Sequence, residues 1–209
     1  MNRQTITHYS GPTQILHWLT AILVLTAFIY GPGGSEERVY SAARDFDRQL
    51  HETLGLSVLT LVVLRVLWRA FDRHPAPPPV ERWMTVTARV VQAALYFLLF
   101  AIPLTAISGA WLEGHALTLL GGLVIPPALV ESHELGAKIA EIHTWLGDAI
   151  MWLAGAHSLA ALIHHFILKD GVLRSMPPRR RPTSRCGLTR RSTRTSRMRG
   201  LRPPRRAAG

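Results

Sequence analysis

The chain has 209 residues, 48% of them hydrophobic, a formal net charge of +11 and a mean hydropathy of only +0.15. These averages blend two unlike parts: residues 174–209 carry thirteen Arg and no Asp, Glu or Lys, which leaves 11 of the 24 Lys+Arg against all 13 Asp+Glu in residues 1–173. The basic charge is therefore no evidence for a nucleic-acid-binding domain, and the single cysteine, Cys186, excludes an intrachain disulfide, a paired-cysteine metal site and covalent haem attachment through Cys-x-x-Cys-His.

Taken in chain order, residues 1–173 contain four stretches long and apolar enough to cross a bilayer, which takes about 20 residues. The first runs over about 13–30 and stops at Gly31-Pro32-Gly33-Gly34. Arg3 precedes it, but no small-x-small cleavage site precedes Gly31, so it reads as a retained span rather than a signal peptide. The second covers about 50–68. The third covers about 90–111 with Pro103 inside it, which a membrane helix tolerates where neighbours satisfy the freed carbonyl. Ala116–Val130 is apolar but short, and Gly121-Gly122 and Pro126-Pro127 interrupt it, so it is expected to be an interfacial loop. The fourth covers about 142–168, roughly 40 Å of helix, longer than a bilayer core and bound to tilt or protrude.

The expected fold is an all-α, integral membrane four-helix bundle over residues 1–173. The Arg-rich segment 174–209 reads as a disordered polybasic tail drawn to anionic lipid. Lys and Arg concentrate in the 69–89 loop (Arg69, Arg73, Arg82, Arg89) and the C-terminal tail, while the 112–141 loop has only Lys138. The positive-inside rule then puts both termini in the cytoplasm.

Four histidines sit in or at the ends of the spans: His17, His51, His143 and His157. His143 and His157 are fourteen residues apart, about 40° short of four full turns, so both leave one face of the fourth helix about 21 Å apart. His51 is expected to open the second helix and His143 the fourth, at the outer level. His17 and His157 share the inner half. Two histidines of facing helices at one depth can take the two axial positions of one haem iron, and the pattern supplies two such pairs. Gly55 and Gly147 follow the outer histidines by one turn and would leave room for a flat ring. Arg65, fourteen residues after His51, is placed at the inner level, where a haem propionate could accept its guanidinium. His164 is the rival inner ligand, seven residues past His157 on nearly the same face. With His165 it falls in the headgroup region, where it could instead contact a propionate or a quinone headgroup.

These residues carry a resemblance. Ile-Leu-His-Trp at 15–18, His-Glu-Thr-Leu-Gly at 51–55, Val-Leu-Arg at 63–65 and the last helix resemble the bacterial diheme cytochrome b561 family over residues 10–178. That helix reads His143-Thr-Trp-Leu-Gly147, His157, His164-His165-Phe166, Lys169-Asp170 and Met176-Pro177. The resemblance implies two non-covalent haems b, ligated by His17 with His157 and by His51 with His143, in a multi-pass protein of the bacterial inner membrane. It further implies quinone-linked electron transfer; some members resemble superoxide oxidases that reduce ubiquinone, and related b-type subunits anchor hydrogenases. The Arg-rich tail lies outside the resemblance.

With imidazole at both axial positions an iron offers dioxygen no open site, which favours one-electron transfer over oxygenation. The expected activity is transfer from a periplasmic donor, superoxide among the candidates, to membrane quinone. Two other readings remain open at this point: a membrane anchor and electron relay for a periplasmic redox enzyme, distinguished by a stoichiometric partner, and a metal or proton transporter using the same histidines, distinguished by the absence of a haem spectrum.

Overall fold

The computed structural model describes residues 10–32, 36–72 and 81–168. The Arg-rich segment 174–209, together with His8 and His74, lies outside these residues. Five α-helices follow in order: α1 (Gly11–Ile29), the short α2 (Glu36–Val39), α3 (Asp45–Phe71), α4 (Arg82–Leu112) and α5 (His133–Ile163). A 3₁₀ turn over Ala42–Arg44 leads into α3, and a π-helical turn over His164–Leu168 continues α5. Four of these helical segments are long and apolar enough to cross a membrane: Gly11–Ile29, Ala42–Phe71, Arg82–Leu112 and His133–Ile167.

Local chemistry explains where the helices start and stop. Pro12 sits in the first turn of α1, where its missing N–H is no loss. Asp45 and Asp47 stand in the first turn of α3, and Glu134 in that of α5, where a carboxylate suits the positive end of the helix. Pro103 is buried within α4 without ending it. Nearby the Thr105 hydroxyl donates to Ala101 O and Ile102 O, and the Ser108 hydroxyl to Leu104 O.

Polar first turns lengthen three helices beyond their apolar cores, α4 starting at Arg82 rather than near residue 90. α3 begins at Asp45 and α5 at His133, so His51 and His143 stand inside their helices rather than opening them. The apolar stretch after α4 forms no span. Leu117–Thr118 (β1) and Val124–Ile125 (β2) pair antiparallel, Leu117 opposite Ile125, and the turn uses Gly121 and Gly122 at φ +91° and +84°, a conformation open to glycine.

The helices pack as two pairs. α1 lies along α3, and α4 along α5. Gly109 and Gly136 set the second contact: a Cβ on Gly136 would come 2.6 Å from Glu113 Cγ, and one on Gly109 3.4 Å from Ala140 N. Small residues that let backbones approach are the usual means of joining membrane helices. Val58 and Val62 of α3 meet Leu98 and Leu99 of α4, with Ile150 of α5, in the small buried core that joins the pairs. α5 has no comparable packing against α1 or α3.

Outside this core the surface is apolar, with Ile15, Ile22, Val63, Val90, Leu104 and Trp152 among many large exposed side chains. Continuous apolar cover of this extent belongs in lipid. Polar clusters mark the two ends. At one, Ser10 and Thr13 both donate to Asp72 Oδ2 at 2.7 Å, tying the start of α1 to the end of α3. At the other, Glu52 accepts from Thr118 N–H at 2.6 Å and Thr53 Oγ1 from Leu120 N–H at 2.9 Å, which fastens the β-hairpin onto α3.

Candidate haem-binding site

α3 and α5 bring His51 and His143 together near the hairpin end. Their ring centroids are 6.0 Å apart and the ring planes stand at 89°. Each ring is fixed from behind. His51 Nδ1 lies 2.7 Å from Ala27 O of α1, and His143 Nδ1 lies 2.9 Å from Ile102 O of α4. A carbonyl oxygen only accepts, so Nδ1 carries the proton in both rings, and Nε2 of each neutral imidazole keeps its lone pair. This is how proteins set the tautomer and orientation of metal-bound histidine. Ala27 O is available because it belongs to the last turn of α1, where carbonyls run out of intrahelical donors.

The spacing suits a metal between the rings. Two metal–imidazole bonds of about 2 Å, with each ring centre about 1 Å behind its nitrogen, put two axial imidazoles roughly 6 Å apart. A flat macrocycle also needs room beside the ligands. A Cβ added to Gly55 or Gly147, one turn beyond His51 and His143, would meet no atom within 4 Å. These two glycines border open space, unlike Gly109 and Gly136, which serve packing.

The second set of residues lies toward the other end. His17 of α1 and His157 of α5 interact electrostatically with each other and with Arg65 of α3. His157 stands about 21 Å beyond His143 along α5, and Arg65 the same distance beyond His51 along α3. The Arg65 guanidinium lies over the Tyr96 ring at 5.3 Å, and among the described residues no carboxylate faces it. His164 stands at the junction of α5 with the π-helical turn, about 10 Å past His157, and His165 is edge-on to Phe166. Among the described residues no three His, Cys, Asp or Glu side chains gather as a metal cluster.

Several participants carry no sequence signal. The two anchoring carbonyls belong to Ala27 and Ile102, whose side chains have no part in the contact. Gly31 lies against His51, with a Cβ there reaching 3.5 Å from the ring's Cε1 and 3.3 Å from Phe28 O. Beyond the first pair, toward the hairpin, Arg48 is held by Asp45 and by Glu52 at 2.9 Å, and it also covers Tyr40, whose ring stacks on His115 at 3.5 Å. Among the described residues Arg48 Nε and Trp111 Nε1 are buried donors without an acceptor, available to an anionic group bound at this end.

Comparison with known proteins shows the family. The family model described as prokaryotic cytochrome b561 matches residues 8–179. Cytochrome b561 homolog 2 of Escherichia coli K12 is 31% identical over 169 residues, covering 80% of this chain and 90% of the relative. The probable superoxide oxidase CybB of Yersinia pestis is 30% identical over 172 residues, covering 79% and 93%. Cytochrome b562 of Cereibacter sphaeroides is 32% identical over 174 residues, covering 78% and 92%. With four membrane-crossing helices and a match along nearly all of them, the chain belongs to the prokaryotic cytochrome b561 family and is a multi-pass bacterial membrane b-type cytochrome that transfers electrons.

Proposed function

We propose that the protein holds two haems b, one between His51 and His143 and one between His17 and His157, and transfers single electrons from a periplasmic donor to membrane quinone. The observation that carries this reading is the outer pair, whose rings stand 6.0 Å apart with both Nδ1 atoms committed to main-chain carbonyls. When bound, haem supplies the one-electron redox centre that the protein's own side chains lack.

The protein's residues do the rest. Ala27 O and Ile102 O hold the imidazoles in the coordinating tautomer. Gly55 and Gly147 leave open space beside them. Arg65, steadied on Tyr96 and facing no carboxylate among the described residues, offers its guanidinium to a propionate beside His17 and His157. The two levels stand about 21 Å apart along α5, so together they cover most of a bilayer core of about 30 Å.

The distribution of Lys and Arg supports an orientation with both termini in the cytoplasm of an inner-membrane protein, the hairpin end facing the periplasm. The name of the Yersinia pestis relative supports superoxide as the donor. On that chemistry two superoxide anions give up one electron each and leave as O₂, while one quinone takes both electrons and two protons and leaves as quinol.

A reduced-minus-oxidised spectrum with a pyridine haemochrome count on the purified protein tests the core of the proposal. Two haems per chain are expected; none would end it, and one would remove one ligand pair. In ubiquinone-loaded proteoliposomes, superoxide is expected to be consumed at two per quinol formed; reduced haem without quinol formation would remove quinone as the acceptor.

A further inference from the structure

Asp148 is an acid in the wrong place for a protein surrounded by lipid. It lies within the membrane-crossing segment of α5, its side chain is exposed, and among the described residues it has no hydrogen-bond or ion-pair partner. Its depth follows from contacts already described. His143 faces His51, and His51 is bonded to Ala27 near the end of α1. Five residues further along α5 is about 7.5 Å deeper, level with about Ile22 of α1. Nineteen residues make α1 the shortest of the four crossing segments, so its middle, near Thr20, marks the middle of the bilayer. Asp148 therefore stands close to the mid-plane. It points away from the cofactor side, nine residues and about half a turn from His157.

Its neighbours on that face are as unusual. Trp152 is 83% exposed just past the mid-plane, and among the described residues its indole N–H has no partner, although tryptophan favours the membrane interface, where that group finds one. Trp145, Asp148, Trp152, Gly155 and Leu159 are all exposed, and they recur at intervals of three and four, the seam of a left-handed helix pair. In a parallel pair, a residue at the position of Asp148 packs between the residues of the other helix at the positions of Trp145 and Trp152. The seam is thus complementary to itself: an acceptor at one layer, a free indole donor at the next, and Gly155 below, where backbones can draw close. Two-fold symmetry about the membrane normal forms the contact twice and keeps both chains in the same orientation. Trp145, Trp152, Leu159 and Phe166 together expose roughly 600 Å², close to the ~800 Å² per partner of a standard interface.

We propose that this face of α5 is the contact for a second copy of the chain, with each Asp148 carboxyl accepting from the indole N–H of the other copy's Trp152. The surface is separate from the histidine side of α5, so the proposal stands independently of how many haems are bound.

The test uses the full-length protein with Cys186→Ser, which removes the only cysteine, and single cysteines introduced by Leu159→Cys, on the seam, or Ile22→Cys, exposed on α1. Oxidative cross-linking in native membranes is expected to give a covalent dimer for Leu159→Cys and none for Ile22→Cys. Equal cross-linking at both sites, or none at either, would overturn the proposal. In lipid nanodiscs, with mass as the readout, Asp148→Leu and Trp152→Phe are each expected to weaken the dimer about tenfold, one hydrogen bond of a membrane helix pair lost at two places. The haem spectrum serves as the check on folding in each variant. A spectrally intact wild-type protein that remains a monomer in nanodiscs would also overturn the proposal, leaving the face to lipid or to a helix of another protein.

Discussion

His51 and His143 stand edge to face, 6.0 Å between ring centroids, and neither is anchored by a side chain. α1 holds the first through Ala27 O, and α4 holds the second through Ile102 O. Each of the four membrane helices thus contributes to this one point: α3 and α5 present the rings, and α1 and α4 orient them.

The first prediction separates the two histidine levels. His51→Ala or His143→Ala is expected to lower the haemochrome count from two to one and to spare the second haem. His17→Ala or His157→Ala is expected to remove the other. His164→Ala is expected to leave two. A full count in His157→Ala with a reduced count in His164→Ala would exchange their roles.

Gly31 gives a test of the ring's support. Even alanine there brings a Cβ to 3.3 Å from Phe28 O and 3.5 Å from the His51 ring, so Gly31→Val has to displace the imidazole or the end of α1. Loss of a metal ligand's support costs about 10–100-fold in affinity. Haem retention during dilution is expected to fall for the site at His51 alone, read as partial loss of one of two spectral components; unchanged retention would show that the ring does not depend on this contact.

Arg65 is expected to act on the other level. Arg65→Leu removes the cation beside His17 and His157, and a nearby positive charge favours the reduced, less positive state of a redox centre. The midpoint potential of that haem is expected to drop while the first stays within error. Arg65→Lys keeps the charge but not the planar group over Tyr96, so partial recovery is expected. A redox titration followed by absorbance checks both variants.

Glu52 links two elements. Its side chain and that of Arg48 are only 12% and 11% exposed, and it also accepts from Thr118 N–H. Glu52→Ala leaves Arg48 paired with Asp45 alone and strips the Thr118 N–H of its acceptor, at a cost of about 1–3 kcal/mol for the unsatisfied donor. Hydrogen exchange is expected to rise first at Thr118 and Leu120; a uniform rise along the helices would instead mean that the pair supports the whole bundle.

How much of this could be read from the sequence differs by kind of interaction. The four crossing helices were legible because lipid demands long apolar runs, and no other segment of the described chain has one. The start of α5 was not: His133–Glu141 is polar enough to resemble a loop, yet Gly136 packs against Glu113 and the helix continues above its apolar part. The placement of His51 opposite His143 was legible from depth and helix direction. The orientation of the rings was not, because a carbonyl belongs to every residue and leaves no mark at Ala27 or Ile102. The clip between Glu52 and the hairpin was hidden for the same reason, since its donor is the main-chain N–H of Thr118.

The carbonyl anchors also bear on how such a protein can change over generations. An imidazole held by another side chain ties two codons together, and loss of either disrupts the ligand. Here the supports at positions 27 and 102 come from the main chain and survive a change of side chain that keeps the helix regular and, at Ile102, its packing against the core. Mutational drift can therefore run along the lipid-facing surfaces of α1 and α4 while the rings they hold stay in register, and selection falls on the histidines and on the glycines beside them.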